Sequence, residues 1–216
     1  MPSPSKIESH LRHPLTALLG SPGNVRILRA LAADKAPQAA PKLAASAGLT
    51  PQGARRVLDA LSRQRAVTVH GSGRTQLYEL NAAHPLALSL TALFQDEQGR
   101  WDSLRRSLQQ AVVRQGSAID AAWLYGSVAR GEDSPASDVD IAVIVQSQAV
   151  ADRVREDLMP LENAQQIHVS LTALTAGELA ALPEDDPWWT NVVRDGRVLV
   201  GPAPGQARRR LLGVRT

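Results

Sequence analysis

The chain has 216 residues, enough for one large domain or two small ones, and 44% of them are hydrophobic. It contains no cysteine, which excludes disulfide bonds and thiolate metal sites. The first residues lack the apolar core of a signal peptide, and no apolar run approaches about 18 residues. We therefore expect a cytoplasmic protein that has no membrane partner.

Charge is distributed unevenly along the chain. Lys and Arg outnumber Asp and Glu by 11 to 4 in residues 1–83, whereas acidic residues dominate by 16 to 7 in residues 84–193. Residues 194–216 are basic again, with 6 basic residues against 1 acidic residue. The basic first third favours a nucleic-acid partner for that part alone, although arginines that serve only solubility are the alternative.

Three helices are predicted in the first third. Residues 22–33 and 41–47 carry apolar side chains at helical spacing, and the Gly-Leu-Thr sequence at 48–50 predicts a tight turn. Thr50 is a good N-cap, and the proline after it is a good first helical residue. The third helix is therefore predicted over residues 51–63.

A hairpin is predicted after the third helix. Residues 66–70 and 75–80 alternate in hydrophobicity around Gly-Ser-Gly-Arg, which is typical of two strands and their turn. Helix, helix, turn, helix and hairpin together resemble the winged helix-turn-helix domain of bacterial transcription regulators.

This resemblance implies that the third helix enters the major groove of DNA. The polar residues at its start and at the tip of the hairpin would contact base edges and phosphates. The candidate DNA-binding residues are Gln52, Arg55, Arg56 and Arg74. The alternative is a winged domain that mediates only dimerisation.

Residues 84–116 are predicted to form a helical connector. Helical apolar spacing extends over residues 85–95 and 101–115, as two helices or as one long helix interrupted near Gly99. The connector is a candidate homodimerisation element, and an ordinary packed linker helix is the alternative.

The sequence Gly-Ser-Val-Ala-Arg-Gly at 126–131, followed by Asp138-Val-Asp140, is the most informative motif. In a strand, residues i and i+2 point to one face, so Asp138 and Asp140 are expected to project together. Adjacent carboxylates repel each other unless a cation neutralises them, and Mg²⁺ prefers such oxygen ligands. The backbone N–H groups of the Gly-Ser turn could receive phosphate oxygens.

Residues 118–145 resemble the signature of the minimal nucleotidyltransferases, relatives of the polymerase-beta fold. The resemblance implies that Asp138 and Asp140 hold Mg²⁺ or Mn²⁺ on a nucleoside triphosphate. An acceptor hydroxyl would then attack the α-phosphorus and release pyrophosphate. The residues assigned to nucleotide binding are Gly126, Ser127, Arg130 and Ser137.

Members of that family that catalyse transfer usually carry a third carboxylate on a later strand. The strand predicted here, residues 166–171, contains no Asp or Glu, and alignment on the following helix start puts Ser170 in that place. A serine hydroxyl is a weak metal ligand and no base near neutral pH. His168 on the same face is a candidate base or ligand. The residues present thus predict nucleotide and metal binding and leave turnover open.

The remaining elements complete the prediction. Helices are expected over residues 149–161 and 175–182, and a last edge strand over residues 196–200. The adjacent Trp188 and Trp189 are expected to pack a helix onto the sheet, with base stacking as the alternative. The basic residues 201–216 are expected to form a flexible tail that adds non-specific attraction to DNA.

The predicted fold is α+β, with an N-terminal winged helix-turn-helix and a C-terminal nucleotidyltransferase-like mixed sheet flanked by helices. The predicted boundaries are 1–83, 84–116, 117–200 and 201–216. The predicted function is DNA binding combined with binding of Mg-NTP and nucleotidyl transfer to an unknown hydroxyl. The alternatives are a catalytically degenerate, nucleotide-responsive regulator and an antitoxin-like partner of a HEPN-type toxin. The expected partners are DNA, a nucleoside triphosphate and an acceptor or toxin protein.

Overall fold

The computed structural model describes residue 9, residues 11–211 and residue 213, except for the side chain of Arg74. They form two compact units, which meet in sequence between Arg100 and Trp101. Helices combine with one antiparallel and one mixed sheet, so the predicted α+β class is confirmed. None of the helices within the described ranges is long and apolar enough to cross a membrane.

The first unit contains four short helices, a small sheet and the start of a long helix. In chain order its elements are α1 (Pro14–Leu19), α2 (Pro22–Ala33), β1 (Gln38–Ala39), α3 (Ala40–Ser46), α4 (Pro51–Arg63), β2 (Val67–His70), β3 (Leu77–Leu80) and the first part of α5 (Ala87–Val113). The hydroxyl of Ser21 accepts a hydrogen bond from the N–H of Asn24 at the start of α2. Thr50 does the same for Gly53 in α4, as its N-cap position predicts.

The small sheet has the order β1-β3-β2, and both pairings are antiparallel. Helices α2, α3 and α4 bury their apolar faces in one core beside it. The largest fully buried side chains there are Leu18, Ile27, Leu28, Leu31, Leu43, Leu58 and Leu61. These residues recur at helical spacing, which explains why the bounds of α2 and α4 were predictable from sequence.

Two features of the first unit differ from the prediction. Helix α1 and the two-residue strand β1 were not predicted, because they are too short to show a hydrophobic period. Helix α5 is continuous through Gly99, so the predicted interruption there is wrong. A single glycine in an exposed helix lowers its stability by about 1 kcal/mol and does not by itself end it.

The second unit is a four-stranded mixed sheet with helices on both faces. The last part of α5 is followed by β4 (Ile119–Tyr125), α6 (Gly126–Arg130), β5 (Val139–Val145), α7 (Gln148–Gln165), β6 (Val169–Thr175), α8 (Ala176–Ala181), α9 (Pro187–Asp195), β7 (Arg197–Val200) and α10 (Pro204–Leu211). The strand order is β6-β5-β4-β7. Only the β5–β6 pair is parallel, so α7 is the crossover between these strands.

Each face of this sheet has its own core. Leu108 of α5 and Val154 of α7 pack with Val143 on one face. On the other face, Trp189 of α9 packs edge-on against Trp123, with ring centroids 5.8 Å apart. Trp188 donates a hydrogen bond from Nε1 to the hydroxyl of Tyr125 over 3.0 Å. The tryptophan pair therefore packs a helix onto the sheet, as expected.

The segment between β5 and β6 corrects two predicted bounds. Helix α7 continues to Gln165 instead of ending at residue 161, and Gln166 ends it in the left-handed conformation with φ of 54°. Strand β6 therefore begins at Val169, three residues later than predicted. Pro160 lies inside α7, and the loss of one backbone hydrogen-bond donor there does not end the helix.

The C-terminal segment also differs from the prediction. Residues 204–211 form α10 instead of a flexible tail, and Pro204 and Ala207 are buried against other elements of the second unit. Arg208 donates hydrogen bonds to the carbonyls of Leu182 and Pro183 and lies over the ring of Trp189. The last part of the predicted tail, residues 212 and 214–216, lies outside the described residues.

Candidate functional site

Asp138 and Asp140 lie where β5 begins. Asp140 is the antiparallel register partner of Tyr125, the last residue of β4, and the parallel register partner of Ser170 on β6. Asp138 is two residues earlier, immediately before the strand, and is exposed, whereas Asp140 is half-buried. The structure therefore brings the Asp-x-Asp pair to the point where the Gly-Ser turn leaves β4.

Gly126 contacts Asp140 closely. Its backbone has a φ of +76°, a left-handed conformation that side chains disfavour. A Cβ atom at this position would overlap the carboxylate oxygen Oδ2 of Asp140. Both the conformation and the contact require glycine, so the first residue of the motif allows the backbone of α6 to approach the carboxylate.

The loop from α6 to β5 is shaped by its own hydrogen bonds. Gly131, with φ of +71°, ends α6, and the N–H of Glu132 bonds the carbonyl of Ser127 over 2.9 Å. The Ser137 hydroxyl accepts a hydrogen bond from the N–H of Ser134 over 2.9 Å. Ser137 thus holds the turn that precedes Asp138, and its contact with a nucleotide stays a prediction.

The carboxylates influence each other electrostatically. Burial raises the pKa of Asp140, the negative charge of Asp138 raises this pKa further, and the positive charge of Arg130 lowers it in part. A partly buried carboxylate beside a second one is stabilised in its charged form by a cation. The arrangement therefore favours a positively charged partner at this point.

Arg130 belongs to an ion-pair network that the sequence did not reveal. Its Nη1 lies 2.5 Å from Oδ2 of Asp195, the last residue of α9, and its Nε lies 2.7 Å from Glu132. Arg194 also binds Asp195, through Nε at 2.8 Å and Nη2 at 2.9 Å. In sequence, Asp195 lies between Arg194 and the Gly196-Arg197 pair, a charged context that does not distinguish a buried carboxylate from a solvated one.

Asp195 is the one buried carboxylate in the part of the chain that the structure describes, and its side chain is 4% exposed. Hydrogen bonds from Arg194, assisted by those from Arg130, lower its pKa to about 2 although burial opposes the shift. The carboxylate is therefore charged at neutral pH and joins α6 to the end of α9.

Ser170 lies beside Asp140 on the neighbouring strand. The two residues are register partners in a parallel pair, so their side chains share one face of the sheet. His168, the other candidate, immediately precedes β6; its side chain is 72% exposed, and its Nδ1 lies 3.2 Å from Glu162. Over the described ranges, no cluster of three or more His, Cys, Asp or Glu side chains is arranged to hold a metal.

The carboxylates of Asp138 and Asp140 at the start of β5 are nevertheless suitable ligands for Mg²⁺ or Mn²⁺. Two carboxylates and a nearby hydroxyl are hard oxygen ligands, and zinc would prefer nitrogen or sulfur. Mg²⁺ is commonly held by one or two carboxylates together with substrate phosphates and water. Asp138 and Asp140 can supply the protein's share of such a shell.

The candidate DNA-binding residues lie in the first unit. Gln52, Arg55 and Arg56 are exposed on α4, whereas Ala54 and Leu58 of the same helix are buried. The three polar residues follow one another at i, i+3 and i+4, so they share one face of the helix. The side chain of Arg74, the fourth candidate, lies outside the described residues.

The segment that contains this site is similar in sequence to a known protein family. Residues 108–183 match the family model for polymerase beta nucleotidyltransferases. The nucleotidyltransferase match includes β4, α6, β5 and β6, and it therefore contains both aspartates of the motif and Ser170. It ends before α9, so Asp195 lies outside the matched segment.

Other comparisons are weaker. No curated protein matches the chain in sequence. Among solved structures, a toxin–antitoxin complex with AMP-PNP is 18% identical, over 50% of this chain and 84% of that one, with a TM-score of 0.37. The antimony-specific transcriptional repressor AntR is 22% identical, over 48% and 93% of the two chains, also with a TM-score of 0.37. These likenesses are too weak to assign a function.

Proposed function

We propose that the second unit binds a nucleoside triphosphate with Mg²⁺ and transfers its nucleotidyl group to an acceptor hydroxyl. The observation that carries this proposal is the contact between Gly126 and Asp140, with Asp138 alongside, inside the segment that matches the nucleotidyltransferase model.

The residues of the site have distinct roles in this proposal. Asp138 and Asp140 would hold the metal, which supplies positive charge against the phosphate oxygens when it is bound. The backbone N–H groups of Gly126 and Ser127 would bind the β- and γ-phosphates, and Arg130 would offset their charge. The chain would thereby orient the α-phosphorus toward the acceptor hydroxyl, whose attack releases pyrophosphate.

The first unit is proposed to be a winged helix-turn-helix domain that binds DNA. Its order of helices, with a β2–β3 hairpin after α4, supports this proposal, as does the basic composition of residues 1–83. Helix α4 would enter the major groove, where Gln52, Arg55 and Arg56 would contact base edges and the phosphates beside them. The long α5 would then connect this domain to the nucleotidyltransferase-like one.

Transfer is tested with α-³²P-labelled ATP, GTP, CTP and UTP, in Mg²⁺ or Mn²⁺, with cell lysate as the source of acceptor. We expect a labelled product from the wild type and none from the double variant Asp138→Asn/Asp140→Asn. The identity of the labelled species would reveal the acceptor. Equal labelling by wild type and double variant would refute the role of the aspartate pair.

A second candidate function is a regulator that binds a nucleotide without turnover. It is favoured by Ser170, which occupies the register position beside Asp140 where a carboxylate could complete the metal site. In this case the nucleotide would change the affinity for DNA.

The two candidates differ in one pair of measurements. Selected duplex DNA is titrated with the protein in the presence and absence of Mg-ATP and of its non-hydrolysable analogue, while label transfer is followed in parallel. A regulator without turnover predicts a changed DNA affinity and no transfer. A transferase predicts transfer that Asp138→Asn abolishes, whatever happens to DNA affinity.

A further inference from the structure

Asp195 has surroundings that packing alone does not explain. Its side chain is 4% exposed and accepts hydrogen bonds from two guanidinium groups, those of Arg130 and Arg194. A buried carboxylate is unfavourable unless it is paired and hydrogen-bonded, and this one is both. The two arginines, in contrast, are 35% and 60% exposed. The buried member of the network therefore anchors partners that face solvent.

Arg130 is the partner that belongs to the proposed nucleotide site. It is the last residue of α6, the short helix whose first residue, Gly126, contacts Asp140. The helix that carries it, α6, packs against β5, the strand that contains Asp140, and the positive charge of Arg130 lowers the pKa of Asp140 in part. The bonds to Glu132 and Asp195 use Nε and Nη1, and no described residue accepts a hydrogen bond from Nη2.

We propose that Asp195 is a positioning residue, which holds the guanidinium of Arg130 beside the Asp138–Asp140 pair so that Arg130 binds phosphate oxygens of the nucleotide. The proposal rests on the nucleotide site proposed above. Arg130 has a long, flexible side chain, and fixing it before the ligand arrives reduces the entropy lost on binding. Planar guanidinium groups are well suited to phosphate, and they bind it most strongly when they are already oriented.

The two carboxylate partners of Arg130 are expected to differ in importance. Glu132 has a side chain 64% exposed, so its ion pair lies in water and fixes the arginine weakly. Asp195 is buried at the end of α9 and is held by a second arginine, so it provides a rigid anchor. The chain thus offers a matched control, because Glu132→Gln removes a carboxylate partner of the same guanidinium.

The experiment measures binding of the fluorescent nucleotide mant-ATP with Mg²⁺ to the full chain. The variants are Asp195→Asn, Arg130→Gln, their double variant and Glu132→Gln, all studied well below their unfolding temperatures. We expect about tenfold weaker binding for either single variant, since a charge-assisted hydrogen bond to phosphate is removed or misplaced. The double variant should bind no more weakly than Arg130→Gln, and Glu132→Gln should change affinity less than about twofold.

Binding of Mn²⁺ alone, followed by electron paramagnetic resonance, separates a positioning role of Asp195 from a structural one. If Asp195 only kept the site folded, its substitution would weaken Mn²⁺ binding as well. Asp138 and Asp140 hold the metal in the proposal, so Asp195→Asn should keep the affinity for Mn²⁺. Loss of Mn²⁺ binding in Asp195→Asn would overturn the positioning role, because it would mean that the whole site had collapsed. Equal, additive losses of mant-ATP affinity in the double variant would overturn it too.

Failure of the inference differs from failure of the proposed function. If the wild type binds mant-ATP and Asp195→Asn binds it equally well, the positioning role is wrong and the nucleotide site stands. If the wild type binds neither mant-ATP nor Mn²⁺, the proposed function is wrong, and the role of Asp195 is wrong with it.

Discussion

At the scale of single residues, the carboxylate of Asp140 is closely surrounded by other groups of the site. The backbone of Gly126 occupies one side, Asp138 lies two residues earlier, and Ser170 is its neighbour across the parallel pair. Burial and the nearby negative charge both raise the pKa of Asp140. Because the backbone packs closely against this carboxylate, a cation nearby would stabilise the charged form of Asp140.

Gly126→Ala should disable metal binding, and Gly131→Ala is the matched control. Both glycines have positive φ, so Gly131→Ala should lower the free energy of unfolding by about 1–2 kcal/mol, and Gly126→Ala should lower it further because of the overlap. Only at Gly126 would the new Cβ overlap Asp140, whereas no described atom lies within 4 Å of the one at Gly131. Urea unfolding and Mn²⁺ binding measure the two effects. Loss of Mn²⁺ binding in Gly131→Ala as well would contradict the proposed contact.

Asp195 should make the stability of the second unit depend on acid pH. Its pKa is lowered from 3.8 to about 2 in the folded protein, so the folded state binds this proton less tightly than the unfolded state. The stabilisation is complete above the unfolded pKa, near pH 4, and is lost as the pH falls through about 2. Urea unfolding followed by tryptophan fluorescence reports this unit, because all four tryptophans lie at residues 101–189.

Comparing the wild type with Asp195→Asn isolates the contribution of Asp195 to the pH dependence of stability. Asp34 and Glu178 also have lowered pKa values and weaken the protein in the same direction as the pH falls. We expect Asp195→Asn to be less stable than the wild type at neutral pH by about 2–3 kcal/mol, and the difference to shrink between about pH 4 and 2. A difference that stays constant over that range would show that the charge of Asp195 does not stabilise the fold.

At the scale of elements, prediction from sequence succeeded where a local signal was complete. Helices α2 and α4 each have a capping residue, an N-terminal proline and a buried apolar stripe, and their predicted bounds are confirmed. The Gly-Ser turn and the Asp-x-Asp strand were predictable because their spacing is itself the signal. The missed features have distant partners: β1 pairs with β3, and α10 packs on the core that contains β4 and α9.

The candidate site shows the same division. Alignment on the following helix start predicted that Ser170 takes the place of the third carboxylate, and in the structure Ser170 is the register partner of Asp140. Asp195 could not be predicted, since it lies 65 residues from Arg130 in sequence and meets it only after α9 has folded onto the sheet. Contacts of this range leave no periodic trace in a single sequence.

The parallel β5–β6 register gives a prediction of its own. Ser170→Asp would place a third carboxylate beside Asp140, and we expect Mn²⁺ affinity to rise about tenfold or more. Without metal, the same variant should be less stable than the wild type, because three carboxylates repel one another. Mn²⁺ titration and thermal unfolding in EDTA measure the two effects.

Thr172→Asp is the control for that variant. Thr172 lies on the same face of β6, two residues further along, and its register partner is Ala142. It adds the same charge to the same strand without adjoining Asp140. An equal rise in Mn²⁺ affinity for both variants would mean that Ser170 does not occupy the position assigned to it.

At the scale of the whole molecule, the two units differ in charge. The first unit, residues 1–100, carries 12 Lys and Arg against 6 Asp and Glu, whereas the second, residues 101–216, carries 12 against 15. An acidic surface repels the phosphate backbone of DNA, so a DNA contact is expected to come from the first unit. Within that unit, the exposed arginines of α4 are the charges that the proposed docking places nearest to the DNA.

Salt dependence tests that assignment. Removing one arginine that neutralises a phosphate should reduce the slope of log K against log salt concentration by about 0.9. Arg55→Gln/Arg56→Gln should therefore weaken binding to duplex DNA and flatten this slope by up to about 1.8, as measured by fluorescence anisotropy between about 50 and 200 mM salt. Arg209→Gln/Arg210→Gln removes the same charge from exposed positions on α10 and should leave the slope nearly unchanged. If both double variants flatten the slope equally, DNA attraction follows net charge and α4 has no special role. If only Arg209→Gln/Arg210→Gln flattens the slope, the basic C-terminal segment binds the DNA.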